Sequence, residues 1–401
     1  MAALKILLLE SIHPVADELL EAEGFEVQRV DGSLKEGELC ARLAGVQVLG
    51  IRSKTQVSRK VLDAADALIA VGAFCIGTNQ VALDHAMHRG VAVFNAPFSN
   101  TRSVAEMVLA EIVMLSRRLG DRAKEMHQGV WRKVATGSRE VRGKTLGVVG
   151  YGHIGSQVSI LAEDLGMRVL YYDVAAKLPL GNSQPVKALE VLLEKSDFVT
   201  LHVPETPRTR GMMGAAQLSR MKRGACLINA SRGTVVDLDA LAQALRDRRL
   251  DGAAIDVYPD EPEANSAEGF ETPLRGLPNV IMTPHIGGST LEAQEAIGRE
   301  VSASLARYAH TGATLGSVNF PPVDLPRTAG TYRVINVHQN VPGVLGDLNK
   351  IVSDHGANIH AQVLSTNSAI GYLVMDLDSN VGDKVVGDML RLRTSISART
   401  V

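Results

Sequence analysis

The sequence predicts an α/β protein built from two doubly wound, open parallel sheets and a small C-terminal module of the ferredoxin-like type. Three observations predict it. Short apolar runs alternate with helix-compatible stretches over the first hundred or so residues, and the same cadence restarts at Thr145. A proline- and glycine-punctuated stretch, Pro321-Pro322, Pro326 and Gly330, then precedes patterns in the order β-α-β-β-α-β.

In the first sheet the expected strands are Ile6 to Leu9, Val46 to Ile51, Ala67 to Val71 and Val91 to Phe94, joined by crossover helices. Residues 103 to 120 read as one long helix with acidic groups near its start. The second sheet draws on Thr145 to Val149, Arg168 to Tyr172, Phe198 to Leu201, Ala225 to Ile228, Ala253 to Val257 and Val280 to Met282. A further long helix covers 290 to 308. The tail offers strands at Tyr332 to His338, Asn358 to Leu364, Gly371 to Leu377 and Ser395 to Thr400, with helices ending near Asp354 and spanning Lys384 to Arg391.

Length and composition agree with a multidomain globular chain, since 401 residues with 45% hydrophobic side chains suit two or three domains. Lys and Arg number 42 against 44 Asp and Glu, a formal charge of -2, which leaves no long basic field for nucleic acid. Cys40, Cys75 and Cys226 are too few and too scattered for a disulfide framework or a cysteine metal site, so no metal is expected and a reducing, cytoplasmic setting fits. Lys5 leads directly into Ile6-Leu7-Leu8-Leu9 and Glu10, which reads as a strand and not a secretory signal, and no charge-free apolar stretch reaches membrane-spanning length.

Gly150-Tyr151-Gly152-His153-Ile154-Gly155 fits G-x-G-x-x-G between a strand reading and a helical stretch. Gly150 permits the tight turn, Gly152 lets the backbone approach a pyrophosphate, and Gly155 lets helix and sheet pack closely. The amides that open the helix then face negative charge. Asp173 ends the next strand, 18 residues beyond Gly155, where a carboxylate accepts from adenosine ribose hydroxyls and repels a 2′-phosphate, favouring NAD over NADP. The alternative makes the glycines a sharp turn and Asp173 a strand-end cap. His153 reads as a side chain beside the phosphates or at the surface.

Three more segments follow strand readings: Asn229 to Gly233, Asp256 to Pro262 and Thr283 to Gly288. Ligands of open α/β sheets gather at such strand ends. An imidazole exchanges protons with a hydroxyl near neutral pH, and a neighbouring carboxylate fixes its tautomer, which suits His285 and Glu261. The Arg232 guanidinium matches a substrate carboxylate and can polarise the adjoining carbonyl. The plainer alternative makes Arg232 an ion-pair partner, Glu261 a loop cap and His285 a structural group.

With these pieces in place the chain resembles the D-isomer-specific 2-hydroxyacid dehydrogenases, and within them the D-3-phosphoglycerate dehydrogenases that carry a C-terminal ACT domain. Its most distinctive segments are Phe74 to Gln80, Asn95 to Glu106, Gly150 to Gly155, Ile228 to Thr234 and Thr283 to Thr290. The resemblance implies Arg232, Glu261 and His285 as catalytic residues, with Asp256 at the nicotinamide amide. It also implies that His202, Val203, Pro204, Thr209, Ala230, Ser231, Gly287 and Gly288 line an NAD site. It makes the second sheet a Rossmann NAD domain at 97–287 and the substrate domain discontinuous, 1–96 with 288–316. A linker at 317–330 and an ACT domain at 331–401 complete the layout.

The implied reaction is NAD-dependent oxidation of D-3-phosphoglycerate to 3-phosphohydroxypyruvate, the first step of phosphorylated L-serine biosynthesis. Reduction of 2-oxoglutarate to D-2-hydroxyglutarate is a possible second activity. The substrate carboxylate is expected on Arg232 and on amides around Gly72, and the distal phosphate at Arg52-Ser53-Lys54-Thr55, which offers two cations and two hydroxyls. Asn100, and Lys133 from a neighbouring subunit, are further substrate contacts by resemblance. Rival readings are a dehydrogenase for glycerate, lactate or glyoxylate and a nucleotide-dependent corepressor on the same fold. The tail is expected to bind L-serine between paired ACT domains, through His338 and Asn340 of one chain and Asn358 of the other, within a homo-oligomer read as a tetramer. Val341 stands where serine-inhibited relatives have a basic residue, and the module could instead serve only as an oligomerisation surface.

Overall fold

The computed structural model describes residues 3–262 and 269–401. The chain divides into two compact units, 1–99 with 294–401, and 100–293. Among the described residues no helix is long and apolar enough to cross a membrane.

The first unit opens with a five-stranded parallel sheet: β1 (Leu4–Leu8), β2 (Phe25–Arg29), β3 (Val48–Ile51), β4 (Ala70–Ala73) and β5 (Ala92–Asn95), in the order β2-β1-β3-β4-β5. β3 and β4 are buried at every position, as expected of parallel strands covered on both faces. Two differences from the sequence reading stand out. β2 was not expected, because Phe25-Glu26-Val27-Gln28-Arg29 is a half-exposed edge strand with only two apolar residues. β4 begins three residues later than the apolar run Ala67 to Val71, because Leu68 is buried in the turn before the strand.

The second unit holds β6 (Thr145–Val149), β7 (Arg168–Tyr172), β8 (Gln184–Pro185), β9 (Phe198–Leu201), β10 (Cys226–Asn229), β11 (Gly252–Ile255) and β12 (Val280–Met282). They form one parallel sheet, β12-β11-β10-β9-β6-β7-β8, whose order reverses at β6, the doubly wound Rossmann arrangement. Apolar clusters cover both faces, one built on Val148, Ile228 and the helix Thr101–Arg117, the other on Leu201, Leu227 and Leu241. The single helix expected over 103–120 is two, Thr101–Arg117 and Leu119–His127, because Arg118 adopts a left-handed conformation (φ 53°) that interrupts the first.

The tail forms an antiparallel sheet of β13 (Tyr332–Gln339), β14 (Ile359–Thr366), β15 (Ile370–Leu377) and β16 (Ser395–Thr400), ordered β14-β15-β13-β16. With the helices Val344–Asp354 and Gly382–Met389 this is the ferredoxin-like order, and the helices cover one face through Leu348, Val352, Val385 and Met389. Much of the other face is covered as well. Ile335, Val337, Tyr372 and Val374 join Ile6, Phe94, Tyr308 and Phe320 in one core. Residues 312–331 contain no helix or strand, yet Val318 N donates to Val93 O (2.8 Å), and Asn319 accepts from Val93 N and donates to Val91 O along the edge of β5.

Candidate active site

β6 delivers the chain to Gly150, whose φ is 92° and where a Cβ would lie 2.3 Å from His202 O. Any side chain would collide with the backbone of the next strand, so this turn belongs to glycine. Gly152 precedes the helix His153–Asp164, with His153, Ile154 and Gly155 in its first turn, the end of a helix that attracts an anion. A Cβ on Gly155 would lie 2.1 Å from Gly150 O. The backbone thus forms a cradle that side chains would fill, which fits a dinucleotide pyrophosphate.

Asp173 follows β7 and is tied to this cradle: Oδ2 accepts from Tyr151 N (2.8 Å) and Oδ1 from Ala175 N (2.9 Å). The capping role is therefore present, and each oxygen keeps acceptor capacity for a ribose hydroxyl. His202 extends β9 through its amide to Val149 O (2.7 Å), and Thr200 Oγ1 meets its Nε2 at 3.0 Å. Burial pushes His202 down to about 3, so its ring is neutral at working pH. Val203 and Pro204 continue the strand end, and Thr209 Oγ donates to Pro204 O at 2.6 Å, closing the turn.

Beyond β10, Asn229 is fully buried and organises its own loop. Its Oδ1 accepts from Ser231 N (3.1 Å) and Oγ (2.8 Å), and its Nδ2 donates to Arg232 O (3.0 Å). Ala230 lies between them, and Arg232 Nη1 donates to Ser231 O at 2.7 Å. A Cβ on Gly233 would lie 1.9 Å from Tyr258 C, so the loop rests directly on the backbone that follows β11.

That second loop carries Asp256 and Glu261. Asp256, 1% exposed, accepts at Oδ1 from Thr283 Oγ (2.6 Å) and Ile286 N (2.8 Å), and at Oδ2 from Gly287 N (2.9 Å). Its own carbonyl accepts from His285 N at 2.8 Å. His285, held at φ 54°, brings Nδ1 to 2.7 Å from Glu261 Oε2, while Glu261 Oε1 accepts from Tyr258 N (3.0 Å). The hydrogen bond to Glu261 raises the His285 pKa, with burial and the Arg232 charge acting against it. Burial would raise Glu261, but the bonds from His285 and Tyr258 N and the charges of His285 and Arg232 hold it low. Arg232, Glu261 and His285 are thus brought into one electrostatic group. Asn100 packs against Gly288, where a Cβ would lie 2.5 Å from Asn100 Nδ2.

Among the remaining expected site residues, Lys133 lies on an exposed stretch without helix or strand, beside Trp131 at 79% exposure. In the first unit, Arg52, Ser53 and Lys54 follow β3, and Glu10 fixes their backbone by accepting from Arg52 N (3.2 Å), Lys54 N (3.0 Å) and Thr55 N (2.8 Å). Gly72 lies within β4, paired with Gly50 and Phe94, one residue short of the strand end. In the tail, His338 is 3% exposed with Nδ1 at 2.9 Å from Asn336 Oδ1, and burial lowers its pKa. Asn340 bonds the Asn367 carbonyl (2.8 Å) and Asn358 the Asp378 carboxylate (3.0 Å), at opposite ends of β15. Eight residues of strand separate those ends by roughly 26 Å, so one protomer does not bring Asn340 and Asn358 together.

Residues 109–287 match the D-isomer specific 2-hydroxyacid dehydrogenase NAD-binding domain, and 335–397 match an AHAS small subunit-like ACT domain. D-3-phosphoglycerate dehydrogenase of Dictyostelium discoideum is 52% identical over 99% of this chain and 97% of its own. The enzyme of that name from Escherichia coli strain K12 is 51% identical over the same shares. The chain belongs to the D-isomer specific 2-hydroxyacid dehydrogenases, in the D-3-phosphoglycerate dehydrogenase branch. Among solved structures of the family, D-lactate dehydrogenase from Aquifex aeolicus, complexed with NAD and lactic acid, is 26% identical with a TM-score of 0.67 over 79% of this chain and 99% of that one. The chain is accordingly an NAD-dependent oxidoreductase, and its ACT module is of the regulatory, small-molecule-binding kind.

Sequence reasoning missed the residues that lock these loops: Glu10, Asn229 and Thr283. Each left a trace, a charged or polar residue closing an apolar strand run. Their partners are backbone amides of other loops, which no spacing reveals. Among the described residues no group of three His, Cys, Asp or Glu side chains is placed to hold a metal ion.

Proposed function

We propose that the chain oxidises the C2 hydroxyl of D-3-phosphoglycerate to 3-phosphohydroxypyruvate, the entry to phosphorylated L-serine synthesis. The observation that carries this reading is the His285–Glu261 pair at 2.7 Å with the Arg232 charge acting on both. NAD would be held by the Gly150–Gly155 turn and Asp173 and would supply the hydride acceptor for C2. Because Nδ1 of His285 faces Glu261, Nε2 is the atom that removes the hydroxyl proton, and Glu261 stabilises the imidazolium formed. Arg232 binds the substrate carboxylate and steadies the C2 oxygen as its charge changes. Arg52, Ser53 and Lys54 are assigned to the distal phosphate, with Asn100 and Lys133 as further contacts. The same cations would accept the distal carboxylate of 2-oxoglutarate in the reverse sense.

Steady-state rates with 3-phosphoglycerate, glycerate and D-2-hydroxyglutarate, each with NAD and NADP, test the assignment. 3-Phosphoglycerate with NAD is expected to be preferred. Equal use of glycerate would remove the distal-phosphate role. Cofactor choice should rest on Asp173, and Val174 at 88% exposure can become Arg without disturbing packing. Asp173→Ser with Val174→Arg is expected to raise the KM for NAD about tenfold or more, as loss of charge-assisted hydrogen bonds implies, and to improve NADP use. A wild-type preference for NADP would sink the cofactor reading.

The effector is assigned as L-serine, at a site shared between two ACT modules of a homotetramer in the cytoplasm. The distance between Asn340 and Asn358 within one protomer supports a site completed by a second copy. Micromolar to low-millimolar L-serine is expected to slow 3-phosphoglycerate oxidation, and Asn340→Ala to abolish the effect. Saturable serine binding without a rate change would contradict regulation, since coupling must alter the distant chemistry.

A further inference from the structure

The helix Thr101–Arg117 turns an apolar face to the sheet of the second unit through Val104, Val108, Ile112 and Leu115. One member of the buried set is a carboxyl group: Glu111, 3% exposed. Residues 104, 107 and 111 share one side of the helix. A Cβ on Gly287 would lie 3.4 Å from Val104 Cγ2, 3.2 Å from Met107 Cε and 3.1 Å from Asp256 Oδ2. This side of the helix therefore meets Asp256 at the segment that carries His285.

The two carboxyl groups are supplied very differently. Asp256 receives three donors, from Thr283, Ile286 and Gly287, whereas neither oxygen of Glu111 has a hydrogen-bond partner among the described residues. A carboxylate without donors in apolar surroundings is costly, so Glu111 keeps its proton. Burial, and then the Asp256 charge, push Glu111 up to about 8. The other elements packed here bring Val158 and Ala162 from the helix His153–Asp164, Cys226 and Ile228 from β10, Ala254 from β11 and Ile281 from β12. The Cys226 thiol and the nearby Tyr258 phenol are each pushed up to about 12, chiefly by burial, and stay neutral over the same range.

We propose that Glu111 is a positioning residue whose undissociated carboxyl lets Asp256 keep Thr283, Ile286 and Gly287, and so keeps the His285 segment and the nicotinamide site in their working placement. The inference rests on the catalytic reading given above. Ionisation of Glu111 places a second negative charge against Asp256 and loosens its hold on Ile286 and Gly287.

NADH binding, followed by fluorescence from pH 6 to 10, tests this with wild type, Glu111→Gln and Glu111→Met. Wild type is expected to bind NADH about tenfold more weakly at the alkaline end, the change for a one-unit difference between the free and bound pKa of Glu111. Neither variant should show that limb. Met needs no hydrogen-bond partner, so it keeps the comparison open if the buried Gln amide hinders folding. Superimposable curves for all three proteins would overturn the proposal. Thermal melts give a second readout: the folded state retains a proton that the unfolded chain releases near the ordinary Glu value, so wild-type stability falls as pH rises between about 4.5 and 8. The Tm advantage of Glu111→Met over wild type must grow from pH 5 to pH 8, and a constant difference would also overturn it. Both readouts are independent of turnover, so a wild type inactive on 3-phosphoglycerate would remove the catalytic reading and leave these curves to decide on Glu111.

Discussion

His285→Ala is expected to lower kcat for 3-phosphoglycerate oxidation by at least about a hundredfold, the lower end for losing general acid-base assistance, with NADH binding largely unchanged. The expectation follows from where the ring sits. Its amide is tied to Asp256 O at 2.8 Å, independently of the imidazole, so truncation leaves the Ile286 and Gly287 amides on the Asp256 carboxylate. The Glu261 partner adds a signature that simple loss of packing would not give. Because the hydrogen bond to Glu261 raises the His285 pKa above the ordinary 6.5, oxidation, which needs the neutral ring, rises with pH through a value above 6.5. Glu261→Gln removes that support and should move the acid limb of kcat/KM to lower pH while reducing kcat. In the direction of ketone reduction, which needs the protonated ring, the same variant loses activity at lower pH than wild type. Near-native turnover of His285→Ala, or an acid limb unmoved in Glu261→Gln, would take the pair out of the mechanism.

How far this site could be read in advance follows from what each residue depends on. Arg232, Glu261 and His285 stand just past strand ends, and open parallel sheets gather ligand-facing groups there, so apolar runs followed by charged residues were enough to nominate them. Their convergence was not legible. It depends on the left-handed backbone of His285, on Thr283 and two amides meeting Asp256, and on Asn229 shaping the Arg232 loop. Glu111 is the sharper example. As one acidic residue in an amphipathic helix it looks like a solvated position, and only the packing of Val104 and Met107 against Gly287 shows that its side faces inward. In the fold, fully buried and largely apolar strands such as Cys226–Asn229 and Gly252–Ile255 announced themselves, whereas the edge strand Phe25–Arg29 pairs on one side only and carries little apolar signal. The start of the tail's first strand at Tyr332 was legible because proline and glycine punctuate residues 321–330. The tail's second buried face was invisible in the sequence, since its partners, Phe94, Tyr308 and Phe320, come from elsewhere in the chain.

That buried face contains the residue whose replacement should cost the most stability. Arg333 on β13 is fully buried and spends every donor it has: Nε and Nη2 on the Asp376 carboxylate (2.6 and 2.8 Å), Nη1 on Thr311 O (2.9 Å) and Leu325 O (2.8 Å), and Nη2 again on Pro326 O (3.1 Å). Arg333 and Asp376 are also cross-strand partners of β13 and β15. One guanidinium therefore joins the ACT sheet to the end of the helix Leu291–Thr311 and to the chain leading into the module. Arg333→Met is expected to destabilise the protein by about 3–5 kcal/mol, the usual penalty for stranding one partner of a buried pair. Arg333→Lys should recover only part of this, because an ammonium group cannot reproduce the planar fork. Arg333→Met with Asp376→Leu should be milder than Arg333→Met alone, since no unpaired charge remains. The pH dependence has a fixed sign. Burial alone would raise Asp376, but the bonds from Arg333 and Thr328 N and the Arg333 charge hold it below the ordinary carboxylate value. Wild type keeps the pair's contribution above about pH 4 and loses it as pH falls through the lowered value, whereas Arg333→Met should begin to recover relative to wild type at higher pH, as its unpaired Asp376 takes up a proton. Urea unfolding at several pH values measures all of this, with proteolysis near residues 325–331 reporting release of the ACT module. A single variant within about 1 kcal/mol of wild type at pH 7 would show that the pair does not anchor the module, because a stranded buried carboxylate cannot be that cheap.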